Sequence, residues 1–203
     1  MQKKYENNME IGIDEAGRGP LIGRVYAGAV IWPEDLEDKQ NIIIDSKKLN
    51  ENKRKIALKW IKENVKAWGV GFAEPNEIDE YNILEATKLA MQRAVEDLKN
   101  NFNTMKDSNS LIIDGVNWNK KFPNYNVTSI VKGDDKFLSI AAASIIAKEY
   151  HDDHIKQLCN DNIDLDEKYD LISNKGYGTK KHIEGLEKYG VTIYHRKSFK
   201  RCK

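Results

Sequence analysis

Residues 140–147 read Ile-Ala-Ala-Ala-Ser-Ile-Ile-Ala, a stretch that is apolar nearly all round and small in volume. A helix of that composition has no face to offer to water, so it has to be covered on every side, and its small side chains let the covering elements come close. The chain therefore needs a sheet for this helix to lie on. Candidate strands are at hand: 11–13, 25–32, 66–73, 110–114 and 126–131 are short runs of apolar, small or β-branched residues, several of them closed by turn formers. Helical spacing runs over 50–64, with Ile56, Trp60 and Ile61 on one face, and over 83–100, with Leu84, Met91, Val95 and Leu98 in one stripe. It returns over 135–159 and 179–189, leaving 160–175 as a polar loop and the C-terminus as a basic tail. Gly17-Arg18-Gly19-Pro20 reads as a turn that leads back into a strand, so the first two strands form a hairpin, and later strands alternate with helices. The expected class is α/β, a mixed β-sheet flanked by helices.

With 203 residues, 40% of them hydrophobic, the chain can bury a sizeable core, and one catalytic domain over 1–203 is the expectation. Its 33 Lys and Arg nearly balance 32 Asp and Glu, so overall charge does not point to nucleic acid and any basic surface has to be local. Cys159 and Cys202 show no paired spacing, which fits reduced thiols. Residues 1–10 lack the apolar core of a signal peptide and no apolar run approaches membrane-spanning length, so a soluble intracellular protein is expected.

Asp14 and Glu15 stand where the first strand ends, and Asp114 stands where a separate apolar strand ends. Strand ends border the usual ligand crevice of α/β folds, although Asp before Gly is also a common turn residue. Asp152 joins them by a different route. Stepping back along its helix by threes and fours reaches Glu149, Ile145, Ala142 and Leu138, the apolar face, whereas Asp153 points about a quarter turn away. Ionised carboxylates about 4 Å apart repel by roughly 4 kcal/mol at an effective dielectric near 20. Protonation would relieve this, but hard oxygen ligands with no supporting His or Cys suit Mg²⁺ or Mn²⁺ better. His151 and His154 flanking the Asp152-Asp153 pair lack a third ligand for zinc.

Eight strings then occur in one order: DEAGRGP at 14–20, DSKKL at 45–49, NILEAT at 82–87, IDG at 113–115, KGD at 132–134, AASIIAK at 142–148, KGYGT at 175–179 and HRKSF at 195–199. In that order they resemble ribonuclease HII over nearly the whole chain. The resemblance implies a ribonuclease H-like fold over about 11–160, with a small C-terminal helical, substrate-binding segment over about 161–203. It implies Asp14, Glu15, Asp114 and Asp152 as catalytic, metal-binding carboxylates for two Mg²⁺ or Mn²⁺ ions. The implied substrates are RNA/DNA hybrids and DNA duplexes with embedded ribonucleotides, handled by a monomer without an obligate protein partner.

A nuclease that tells RNA from DNA has to sense the 2′-hydroxyl, and backbone groups can do so where no side chain blocks them. Gly17 and Gly19 leave that room, and Arg18 between them can hold a phosphate or brace the loop. In the similar family this loop reads the ribonucleotide at an RNA-to-DNA junction, and the residue matching Tyr177 packs on the next deoxyribose. Lys47, Lys132 and Arg196 are the favoured phosphate contacts among short basic clusters, and residues 191–203 hold five Lys and Arg and no acid. Arg24, His151 and Asn174 depart from the family's usual Pro, Arg and His. Ribonuclease HIII is a related alternative that usually carries a further N-terminal domain. A silent nucleic-acid-binding module would lack a carboxylate, and a Rossmann enzyme would have a helix after Gly19.

Overall fold

The computed structural model describes residues 1–2, 5, 9–38, 41–102 and 109–203. Five strands, β1 (Ile11–Ala16), β2 (Val25–Ile31), β3 (Ala67–Ala73), β4 (Ser110–Asp114) and β5 (Asn126–Ile130), form one sheet in the order β3-β2-β1-β4-β5. β1–β2 and β2–β3 pair antiparallel, while β1–β4 and β4–β5 pair parallel. This is the mixed sheet that the early hairpin and later alternation imply.

Strand parity divides the core. Ile11, Ile13, Leu111 and Ile113 project to one face, where they meet Ala90, Met91, Ala94 and Leu98 of α2 (Pro75–Asn101). The opposite face carries α3 (Leu138–Asp161) and, beside it, α1 (Glu51–Asn64). Gly12 and Gly28 lie under α3 because a Cβ there would run into Ser139 or the Ala143 carbonyl. Residues 138–147 of α3 are buried without interruption, as an all-apolar helix requires, whereas its second half buries only Glu149, His151, Asp152, Ile155, Leu158 and Cys159.

Three expectations need correcting. In α1 the buried residues are Arg54, Ala57 and Ile61, and Ile56 is 63% exposed. Arg54 turns inward to meet carboxylates on α3, which sets the helix phase. α2 begins at Pro75, eight residues before the expected start, and is interrupted at Asn82, whose φ of 70° breaks the helical run. The Asn82 side chain caps the second segment by accepting from the Leu84 and Glu85 amides, and Leu84 falls outside the buried stripe. Finally, residues 160–175 contain α4 (Asp164–Tyr169) and α5 (Leu171–Asn174). With α6 (Lys180–Tyr189), they close a small core of Ile22, Ile155, Leu158, Leu165, Tyr169 and Leu171.

Candidate active site

The parallel register Gly12↔Ile112 and Ile13↔Ile113, carried one residue further, brings Asp14 beside Asp114 on the face occupied by α3. Asp14 is buried, takes the Glu15 amide at 2.7 Å, and accepts a hydrogen bond from Ser144 of α3. Ser144 in turn meets the Ser46 hydroxyl at 2.9 Å. Asp114 accepts from the Gly133 amide at 2.7 Å, where Lys132 adopts a left-handed conformation (φ 54°) that aims this amide inward. Burial, followed by the charges of Glu15 and Asp114, raises the Asp14 pKa well above the usual carboxyl range. Burial also raises that of Glu15, against the pull of Arg18, which reaches Glu15 Oε1 at 3.0 Å. The other Glu15 oxygen, Oε2, is buried without a hydrogen-bond partner.

Asp152 is equally buried, but two cations and a histidine already surround it. Lys148 Nζ donates to Oδ1 at 2.7 Å, Arg54 to Oδ2 at 3.2 Å, and His151 Nδ1 to Oδ1 at 3.0 Å. Burial alone would lift its carboxyl; the His151 and Lys148 bonds overcome that and hold it at about 2. Asp153, by contrast, has a side chain 58% exposed and pairs with Lys156. Among the described residues no three His, Cys, Asp or Glu side chains stand as a ready-made metal cage. The donor chemistry nonetheless fits a hard divalent cation: Asp14 and Glu15 resist ionisation in its absence, and Glu15 Oε2 has an unused lone pair.

A cleft of about 330 Å³ opens beside these carboxylates, lined by Glu15, Gly17, Gly19, Lys47, Lys148 and Tyr177 among others. Gly17 has φ +86°, and a Cβ there would run into the His151 ring; a Cβ on Gly19 would come 3.1 Å from the Tyr177 ring. The glycine loop is therefore packed between the His151 and Tyr177 rings. Tyr177 is 43% exposed, and Lys47 and Lys132 are exposed, with Lys47 4.0 Å from Asp134.

Arg196 requires a correction. It was expected on phosphate, but it is fully buried and its guanidinium donates to the carbonyls of Gly17 (2.7 Å), Arg18 (3.1 Å), Gly23 (2.9 Å) and Arg24 (2.9 Å). Four of its five N–H donors go to these carbonyls and tie the glycine loop to the residues that lead into β2. Burial lowers its pKa to about 9, so it stays charged at neutral pH and strengthens those four bonds. The other departures are also structural. Arg24 stacks on Phe72 at 4.1 Å and pairs with Glu74, while buried Asn174 takes the Gly176 amide and donates to the Tyr169 carbonyl.

Sequence reading missed Lys148 and Arg54. Lys148 had a legible signal, standing one helical turn before Asp152 and thus on the same face. Nothing local marks Arg54, whose partners lie 95 and 98 residues away.

Comparison with known proteins agrees with this architecture. A family model described as Ribonuclease HII matches residues 11–202. A Ribonuclease HII of Bacteroides fragilis is 46% identical over 199 residues, covering 96% of this chain and 90% of that protein. One of Phocaeicola vulgatus is 47% identical over 191 residues, covering 94% and 89%. Among solved structures, ribonuclease H2 of Pyrococcus horikoshii OT3 is similar with a TM-score of 0.69 at 26% identity, covering 95% of this chain and 94% of that one. A mixed sheet whose adjacent strands carry Asp14, Glu15 and Asp114 beside a glycine-lined cleft, together with a family match over 11–202, leads to one conclusion: the chain belongs to the ribonuclease HII family and is a ribonuclease H hydrolase.

Proposed function

We propose that the protein is an endonuclease that hydrolyses the RNA strand of RNA/DNA hybrids and cuts on the 5′ side of ribonucleotides embedded in duplex DNA, leaving 3′-hydroxyl and 5′-phosphate ends. The observation that carries this reading is the Asp14–Glu15–Asp114 group, Asp14 buried and Glu15, with its unpartnered Oε2, lining the cleft shared by Gly17, Gly19 and Tyr177. Asp14, Glu15, Asp114 and Asp152 would hold two divalent ions, Mg²⁺ or Mn²⁺. Such ions, when bound, supply an activated water and stabilise the leaving oxygen of a phosphodiester.

The chain's own groups do the rest. Arg196 pins the carbonyls of Gly17 and Arg18, so the loop's exposed backbone can meet a 2′-hydroxyl without reorganising. Tyr177, half-exposed against Gly19, offers a ring face to the neighbouring deoxyribose. Lys47 and Lys132 are free enough to track phosphates, and Lys148, already facing the cleft, gives a third cation near the scissile position. His151 and Lys148 hold Asp152 ionised and ready as a ligand, and Arg54 orients its other oxygen.

The test is a 5′-labelled DNA duplex carrying one ribonucleotide, incubated with Mg²⁺, with Mn²⁺ and with chelator. A single cut 5′ of the ribonucleotide, with 3′-hydroxyl and 5′-phosphate ends and only when a cation is present, is the expected result. Failure to cut with either cation would sink the reading.

A further inference from the structure

Two histidines outside the carboxylate centre are buried edge to edge, with His182 Nε2 3.1 Å from His195 Nε2. Their other bonds determine where the protons lie. The Thr192 backbone amide, which can only donate, points at His195 Nδ1 at 3.0 Å, so that nitrogen carries a lone pair. A neutral His195 must then hold its proton on Nε2 and donate it to His182 Nε2. His182 is thereby left with its proton on Nδ1, which donates to the backbone carbonyl of Tyr177 at 3.1 Å. The order of donors, Thr192 to His195 to His182 to Tyr177, admits only one arrangement of two protons.

We infer that His182 and His195 are positioning residues: a two-proton relay that fixes the backbone of Tyr177, and with it the ring that packs beside Gly19 in the substrate cleft. The relay is anchored at both ends. Thr192 is held to the His195 ring by its amide and its hydroxyl, while the Tyr177 carbonyl it reaches sits in the turn that donates to Asn174 and accepts from the Thr179 amide. Tyr169 packs against both rings, centroids 4.9 Å from His195 and 5.7 Å from His182, and its hydroxyl is tied to the Gly190 carbonyl. A third proton has nowhere to go. On His195 Nδ1 it would face the Thr192 N–H, and on His182 Nε2 it would face the His195 N–H. Burial accordingly pushes both histidines below their ordinary range, His195 to about 4. The inference rests on the proposed role of Tyr177 at the deoxyribose.

Amide side chains separate the two ends of the relay. In His195→Asn the amide oxygen can stand in for Nδ1 and keep the Thr192 bond, but nothing reaches His182. In His195→Gln the terminal NH₂ occupies the Nε2 position and can donate to His182. Steady-state kinetics on a duplex with an RNA-to-DNA junction are expected to show KM about 5–10-fold higher for His195→Asn, the loss of roughly one buried hydrogen bond, with kcat within about twofold. His195→Gln should restore KM, and His195→Asn combined with Tyr177→Ala should be no worse than Tyr177→Ala alone. Imidazole ¹⁵N spectra of the unsubstituted protein should show His195 protonated at Nε2 and His182 at Nδ1, a readout independent of any variant's folding. An unaltered KM in His195→Asn while Tyr177→Ala is impaired, effects that multiply in the double variant, or the opposite tautomers would overturn the relay. An unaltered KM in Tyr177→Ala would instead remove the deoxyribose role on which it rests.

Discussion

Asp14 ionises against its burial and against the charges of Glu15 and Asp114. Replacing it by Asn, which keeps the shape and removes the charge, is therefore expected to stabilise the cation-free protein by about 1–3 kcal/mol while lowering hydrolysis at least about 10³-fold. Thermal unfolding with chelator and with Mg²⁺ checks the first half: Mg²⁺ should raise the Tm of the unsubstituted protein and leave Asp14→Asn unmoved. A less stable Asp14→Asn in chelator would contradict the assignment of strain to this carboxyl. Arg196 makes the converse case. Arg196→Met keeps the bulk but strips the donors from four carbonyls, those of Gly17 and Gly23 buried and those of Arg18 and Arg24 partly so, so urea unfolding should show a loss of about 2–4 kcal/mol, and a loss below about 1 kcal/mol would mean the loop is not braced there. The carboxylates were legible in the sequence because strand ends and helix periodicity are local properties. Arg196 was misread because a basic string looks the same whether its cations face solvent or, as here, buried carbonyls.

At the level of elements, the strands were legible because each is a short run of apolar, small or β-branched residues, and their observed ends lie within three residues of the expected ones. The helices were less so. Asn82 in the left-handed region splits α2, and the turn before it, Pro75 to Tyr81, is polar apart from buried Ile78 and a partly exposed Tyr81, which hides its helical character. α4 and α5 escaped notice because only Leu165, Tyr169 and Leu171 of that stretch reach the small C-terminal core. The contact between β2 and α3 gives a direct test. A methyl group on Gly28 would overlap the Ala143 carbonyl, so Gly28→Ala should cost about 1–3 kcal/mol in urea and, by shifting α3, disturb Ser144 under Asp14. Unchanged stability would show that the sheet and α3 are less closely packed than described.

Across the whole molecule, burial sets the acid response. It lowers the pKa of all four histidines from the ordinary 6.5, to about 4 for His154 and His195. The unfolded chain therefore takes up protons that the folded protein refuses, so this contribution is complete above about pH 6.5 and is lost as pH falls toward 4. Asp14 and Glu15, raised instead, act in the opposite sense and offset part of it. Urea midpoints in chelator should fall between pH 7 and pH 4.5 by an amount worth roughly 2–4 kcal/mol, and a flat profile would contradict the burial of the histidines. None of the histidine contacts was legible in advance, since His182 and His195 come together only when α6 folds back against the segment that follows it.

In the proposed reaction, carboxylates from β1, β4 and α3 act as one catalytic centre. Single-turnover cleavage of one RNA/DNA hybrid by Asp14→Asn, Glu15→Gln, Asp114→Asn and Asp152→Asn, with Asp153→Asn as the exposed neighbour, tests it most directly. Rates should fall at least about 10³-fold for Asp14→Asn, Asp114→Asn and Asp152→Asn, with a large loss for Glu15→Gln and a rate within about threefold of the unsubstituted protein for Asp153→Asn. An active Asp152→Asn beside an inactive Asp153→Asn would contradict it.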